Sequence, residues 1–359
     1  IAHYLEHVLF KGTSKMGTTN YAKEKVYLDS IEVLYDELSK KEDKKTRLKI
    51  QRHINDLSVK ASEYAIPNEF TRLIEGMGGT GLNAGTGYDF IYYFNSFPSA
   101  QIEKWVDLYS HRFLDPVFRL FQSELETVYE EKNRAMDNPF RVFNETSRKY
   151  FFKNHPYGQQ TILGSVEHLK TPSLSKMKEY YNKYYVPNNM HLLIAGDFDK
   201  RDVKKLIKAK FGKLKKGADV EQLDIAEDDF SGREVVDLAI TPYRVARFGY
   251  RTVKPNHEDA VVLDLISNIF SNSSKTGLLN KLNNENKVLG SYATTGLGGT
   301  DHGGFGFGFV PKDDTQSFED GENLILKEID KVKSGEFSED LLQSIKLNMS
   351  MDHETRMES

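Results

Sequence analysis

The sequence predicts an α+β protein, and three of its features carry that reading. Helical and strand-like stretches follow one another without the strand–helix–strand alternation that a doubly wound parallel sheet requires. The strand-like runs are short and rich in aromatic or β-branched residues, as in residues 88–94 (YDFIYYF). An acidic stretch over 213–232, poor in apolar periodicity, reads as a linker between two regions that each hold both kinds of element.

Along the chain, residues 1–10 place Ile1, Leu5, Val8 and Leu9 on a helical period and run into the turn-forming Gly12. Residues 21–64 are strongly charged yet keep helical spacing, with Ile31, Leu34 and Leu38 in one segment and Ile50, Ile54 and Leu57 in the next. This pattern predicts a helical hairpin, with the charge run 40–45 (KKEDKK) as its solvated tip. A short helix at 70–77 precedes a glycine cluster and the 88–94 strand. Helices are then expected at 99–114 and 122–136, each stopping before a proline. Residues 140–170 read as irregular, followed by a helix at 173–184, a strand at 191–195 (HLLIA) and a helix at 200–211. Beyond the linker, strands are expected at 234–240, 244–250, 291–296 and 303–310, and helices at 257–270, 277–282 and 318–333.

Composition sets bounds. The chain has 359 residues, 38% of them hydrophobic, which is enough apolar material for more than one core. A net charge of −4 offers no basic footprint for nucleic acid, and no apolar run is long enough to span a membrane. The absence of cysteine excludes disulfides, thiolate ligands and a cysteine nucleophile, and leaves the compartment open: periplasmic or secreted and organellar locations both remain. Residues 1–11 carry no initiator Met and no signal-type run. Because a first helical turn lacks partners for its N–H groups, a strand and a cap are expected ahead of Ile1.

The chemistry concentrates near that end. His3 and His7 are four residues apart, so on a helix both imidazoles face one way and can address one metal ion, with Glu6 beside them. This is H-x-x-E-H, the reverse of the commoner H-E-x-x-H. A hydrolytic metal site needs a third protein ligand and an open position for water. The acidic helix at 122–136 offers Glu124 and Glu131, seven residues apart and on one face, with Glu130 a weaker alternative.

The block HYLEHVLFKGT (3–13) resembles the metal helix of the pitrilysin and mitochondrial-processing-peptidase family of zinc metallopeptidases, the inverzincins. That resemblance implies one zinc ion per chain held by His3, His7 and Glu131, with Glu6 as general base and Glu124 as the carboxylate supporting the site. It implies two homologous domains, each a mainly antiparallel sheet with helices packed on one side. The expected bounds are a catalytic domain over 1–212, with an inserted helical hairpin at about 20–68, and a second, non-catalytic domain over 233–359. Residues 81–84 resemble the family's edge strand for gripping substrate, making Asn83 and Ala84 candidate peptide contacts. Peptide substrates follow, as does a further C-terminal half or a homologous subunit enclosing a chamber.

Two other readings stand beside the endopeptidase. One is a non-catalytic subunit or paralogue that binds a partner, against which the complete motif argues. The other is a metal-dependent hydrolase of non-peptide substrates, which spacing does not separate from a peptidase. The glycine-rich run at 298–304 lacks the lysine of a phosphate loop and reads as a hairpin.

Overall fold

The computed structural model describes residues 1–170, 172–221 and 225–358. These form two compact units, Ile1–Arg141 with Gln160–Ile225, and Val142–Gln159 with Ala226–Ser359. Residues 222–224 of the expected linker and residue 359 of the expected second domain lie outside the described residues. The sequence reading carries the first domain unbroken to 212, whereas residues 142–159 pack with the second unit.

In chain order the first unit has helices α1 (Ala2–Val8), α2 (Tyr21–Leu38), α3 (Lys44–Ser62) and α4 (Glu69–Gly76), strands β1 (Thr80–Thr86) and β2 (Ile91–Ser96), and helices α5 (Ile102–Leu114) and α6 (Phe121–Met136). Helix α7 (Pro139–Phe151) spans the unit boundary and is followed by the short α8 (Pro156–Gln159) in the second unit. The chain then supplies α9 (Val166–Lys170), α10 (Leu174–Tyr184) and α11 (Lys200–Lys210) to the first unit. The second unit continues with β3 (Ala246–Thr252), α12 (Ala260–Phe270), α13 (Leu278–Asn284), β4 (Gly290–Thr294), β5 (Gly303–Val310), α14 (Phe318–Lys333) and α15 (Glu339–Glu358).

The predicted hairpin forms, and its ends are set locally. The Asn20 side chain accepts the Lys23 amide at the start of α2, and Asp43 accepts that of Thr46 at the start of α3. Its inward residues Ile31, Tyr35, Leu38, Ile50 and Ile54 join one core with Leu5 and Val8 of α1, Leu9 just after it, Trp105 and Val106 of α5, and Val128 of α6. The packing of these long amphipathic helices, not their charged outer faces, stabilises the hairpin.

β1 and β2 are antiparallel, with Asn83 opposite Phe94 and Ala84 opposite Tyr93. Tyr93 turns into the core while Tyr92 and Phe94 face outward, the period of a strand. The second unit's sheet has the order β3-β5-β4, antiparallel throughout. Along β5, Phe305, Phe307 and Phe309 enter the core with Leu279, Val288 and Ile325. The alternating glycines take the opposite face, and at Gly308 a Cβ would stand 2.4 Å from the Tyr292 ring that lies across the strand. An α+β architecture of antiparallel sheets with packed helices is what the chain adopts.

Three expectations fail. Residues 140–170 are not irregular: they hold α7, α8 and α9, because the apolar residues of 139–151 recur on a helical period that the sequence reading passed over. The HLLIA run at 191–195 forms no regular element and pairs with no strand among the described residues, and Leu193 is 91% exposed. Residues 234–240 are likewise unpaired, with Val235 67% exposed. Strand propensity describes fitness for a half-buried pleat, and without a ladder partner it produces no strand. The 88–94 strand is displaced to 91–96, because Gly87 and Phe90 close a turn through Gly87 N–H to Phe90 O, 2.8 Å. Helix α15 lies beyond the last element expected.

Candidate metal centre

Helix α1 has two faces of different character. Tyr4, Leu5 and Val8 are buried in the core, which seats the helix, and His3, Glu6 and His7 emerge together on the other side. His3 and Glu6 are themselves buried, at 8% and 6% exposure, so their partners have to come from the protein. They come from α6 and β1.

Glu131 of α6 reaches the histidine pair, with its Oε2 3.6 Å from Nε2 of His3 and 3.6 Å from Nε2 of His7. The three donor atoms lie within 4.8 Å of one another, the one such cluster among the described residues. A tetrahedral zinc ion with bonds of about 2.0–2.1 Å holds neighbouring ligands about 3.4 Å apart, so the two nitrogens and the carboxylate oxygen fit it. The side chain of Glu131 is 46% exposed, so the cluster keeps an open side. Buried Nδ1 of His3 has no hydrogen-bond partner among the described residues, leaving Nε2 as the nitrogen aimed at the cluster.

About two turns back on α6, Oε2 of Glu124 lies 3.4 Å from Nδ1 of His7, and its Oε1 accepts Lys11 Nζ at 2.6 Å. A carboxylate on the far nitrogen of an imidazole fixes the tautomer that leaves the other nitrogen free for a metal. Glu6 is held separately: Thr86, the last residue of β1, donates its hydroxyl to Glu6 Oε2 at 2.8 Å.

The electrostatics follow from burial and these partners. Burial pushes the Glu6 carboxyl above its usual range, against the hydrogen bond from Thr86. Burial lowers His3 to about 4 despite the nearby Glu131 carboxylate. Burial also works against the His7 cation, but the Glu124 bond and the Glu6 and Glu131 charges outweigh it, and His7 is raised. Glu124 moves down: its burial is overcome by the bonds from His7 and Lys11.

The structure thus brings together His3, Glu6, His7, Glu124 and Glu131. It does not bring Asn83 or Ala84 to the cluster. Asn83 is exposed, and its Oδ1 accepts the Ala84 amide at 2.9 Å, a local backbone role. Two residues at the site escaped the sequence reading. Lys11 stands four residues after His7 and so falls on the same side of the chain, a usable signal. Thr86 had none, since nothing local distinguishes a threonine that meets a carboxylate 80 residues away.

A helix-borne H-x-x-E-H completed by a carboxylate from a second helix is the donor set of an inverted-motif metallopeptidase. Comparison with known proteins gives the family. The model described as "Insulinase (Peptidase family M16)" matches residues 53–164, and "Peptidase M16 inactive domain" matches 173–349. The chain belongs to peptidase family M16, the family of pitrilysin and mitochondrial processing peptidase. It is 25% identical over 320 residues to zinc protease PqqE of Helicobacter pylori, covering 85% of this chain and 70% of that protein. It is 25% identical over 155 residues to the probable zinc protease PqqL of Escherichia coli K12, covering 41% of this chain and 16% of that one. In fold it resembles a solved protease from Helicobacter pylori, with a TM-score of 0.71, 23% identity and coverage of 81% and 72% of the two chains. It likewise resembles pitrilysin, at TM-score 0.62 and 16% identity, over 95% of this chain and 32% of that one.

Proposed function

We propose that this chain is the catalytic, metal-binding part of a zinc-dependent endopeptidase acting on peptides or unfolded segments. The observation that carries the proposal is the convergence of His3, His7 and Glu131 at separations suited to one tetrahedral ion, with buried Glu6 alongside. Relatives named as zinc proteases support the same metal. No helix among the described residues is long and apolar enough to cross a membrane.

His3, His7 and Glu131 would hold the ion, with Glu124 orienting His7. Bound zinc supplies a Lewis acid that polarises a scissile carbonyl and makes water more acidic. Glu6 takes the proton of the attacking water and returns it to the amine of the leaving chain. Burial raises its proton affinity, the direction that favours accepting a proton from water, and the Thr86 hydroxyl fixes its carboxylate by a hydrogen bond. Peptide is taken as an added strand along β1, through Asn83 and Ala84, which selects extended chains over folded ones. A further C-terminal half or a homologous subunit closes the chamber, in keeping with the small share of the Escherichia coli relative that this chain spans.

Zinc content and peptide cleavage, measured on the parent and on Glu6→Gln, test the proposal. We expect about one zinc per chain in both. Cleavage falls by roughly 10²–10⁴-fold in the variant, the usual worth of a general base. An equally active variant would remove Glu6 from its role.

A further inference from the structure

We infer that the α2–α3 hairpin is part of the metal centre's scaffold, and that Glu24 and Arg119 are positioning residues which set the spacing of α1 and α6. The inference rests on the metal site proposed above, and goes beyond it by assigning work to a segment distant from the ligands in sequence. The family match begins at residue 53, so it leaves out α2 and likewise the His3–His7 helix that α2 helps to hold.

Arg119 sits just before α6 and is 1% exposed, as is the Glu24 side chain of α2 that it meets. All five of its N–H groups are used. Nε donates to Glu24 Oε1 at 2.8 Å and Nη2 to Glu24 Oε2 at 3.1 Å. Nη1 donates to the carbonyls of Lys11 (2.8 Å) and Met16 (2.9 Å), and Nη2 to that of Thr13 (2.8 Å). Those carbonyls belong to the loop that follows α1, whose last two residues are His7 and Val8. One guanidinium therefore joins the exit of the histidine helix, the entry of the glutamate helix and the hairpin. A lysine's single ammonium cannot reproduce this fork.

The surrounding backbone is built around that junction. Gly12 has φ +101, and a Cβ there would stand 2.2 Å from Met16 O and 2.9 Å from Arg119 Nη1. Val117 N–H bonds Gly12 O at 3.1 Å. Leu120, between Arg119 and α6, takes a left-handed conformation at φ 54, which a branched side chain adopts only when its surroundings impose it. The hairpin also grips α6 beyond the junction, where the Tyr35 hydroxyl donates to Gln122 Oε1 and its ring packs edge-on against Phe121, centroids 4.9 Å apart. Glu24 thereby holds Arg119, Arg119 holds both helix ends, and the ligands of α1 and α6 are kept in place before any metal arrives. Preorganisation of this kind raises affinity by lowering the ordering cost of binding.

The test compares the zinc affinity of the parent, Glu24→Gln and Ile54→Val, by competition with a chelator at a temperature where each is folded, alongside the thermal midpoint of each metal-free protein. Ile54 is a buried hairpin residue with no part in the junction, so it reports loss of stability alone. We expect zinc affinity to fall about 10–100-fold in Glu24→Gln, the range for partners that orient metal ligands, and to stay at the parent value in Ile54→Val. If Glu24→Gln does not fold, Glu24→Asp, which keeps the charge on a shorter arm, replaces it with the same expectation. Parent-like affinity in the Glu24 variant, or an equal loss in Ile54→Val, would overturn the inference. A parent that binds no zinc would overturn the metal site itself, a failure distinguished by appearing before any substitution.

Discussion

The two units share an α+β construction but differ in what they bury. The second unit's main core is apolar, with three phenylalanines of β5 set against Leu279, Val288 and Ile325, and among the described residues its buried titratable side chains include His155 and Glu328 but no arginine. The first unit buries Glu24, Arg112 and Arg119 at 1% exposure or less, along with Glu6 and Glu124. Arg112 donates Nε to Leu9 O at the end of α1 and stacks its guanidinium 4.2 Å from the centre of the Phe10 ring and 4.3 Å from that of Tyr93. Burying charge is costly unless each group is paired, and a well-packed apolar core is often as stable. Charge in the first unit converges on α1 and α6, which carry the candidate ligands. The difference teaches that this unit spends stability on placing a site, while the other is packed for cohesion.

The largest test of that contrast is Phe307→Ala. Removing a buried aromatic ring should cost about 3–5 kcal/mol of the second unit's stability, read by urea denaturation, with zinc affinity unchanged. A change in zinc affinity would break the contrast. Next, Glu131→Gln should weaken zinc by at least about a hundredfold, since a direct ligand matters more than the outer partners, whose loss costs roughly 10–100-fold. Its metal-free thermal midpoint should stay near the parent's. Glu124→Gln, which keeps the shape but loses the charge between His7 and Lys11, should weaken zinc by about tenfold, at the lower end of that outer-partner range. Chelator competition measures both. The smallest effect belongs to Ser317→Ala. Ser317 accepts the Asp320 amide at 3.0 Å and caps α14, so its loss should cost about 1 kcal/mol in the second unit and leave the metal centre untouched.

Long periodic segments could be read directly. The hairpin, α5, α6 and α14 follow from apolar spacing and from the prolines or caps at their ends, because a helix satisfies its own backbone and needs only one buried stripe. The two unpaired strand-like runs show the converse. Residues 191–195 and 234–240 have strand-like composition, but a strand exists only with a neighbour, and that is not written in the run itself. At the site, Lys11 was within reach of the helical period and Thr86 was not.

By itself the sequence determined that His3 and His7 share a face with Glu6 near them, because four residues make about one helical turn whatever surrounds the helix. Only the tertiary structure decided that Glu131 closes on that pair across 124 residues of chain, that Glu124 turns to His7, and that Arg119 ties both helices to Glu24. The reason is physical. Spacing along a helix is enforced by local geometry, whereas a contact between distant segments depends on the packing of every element between them.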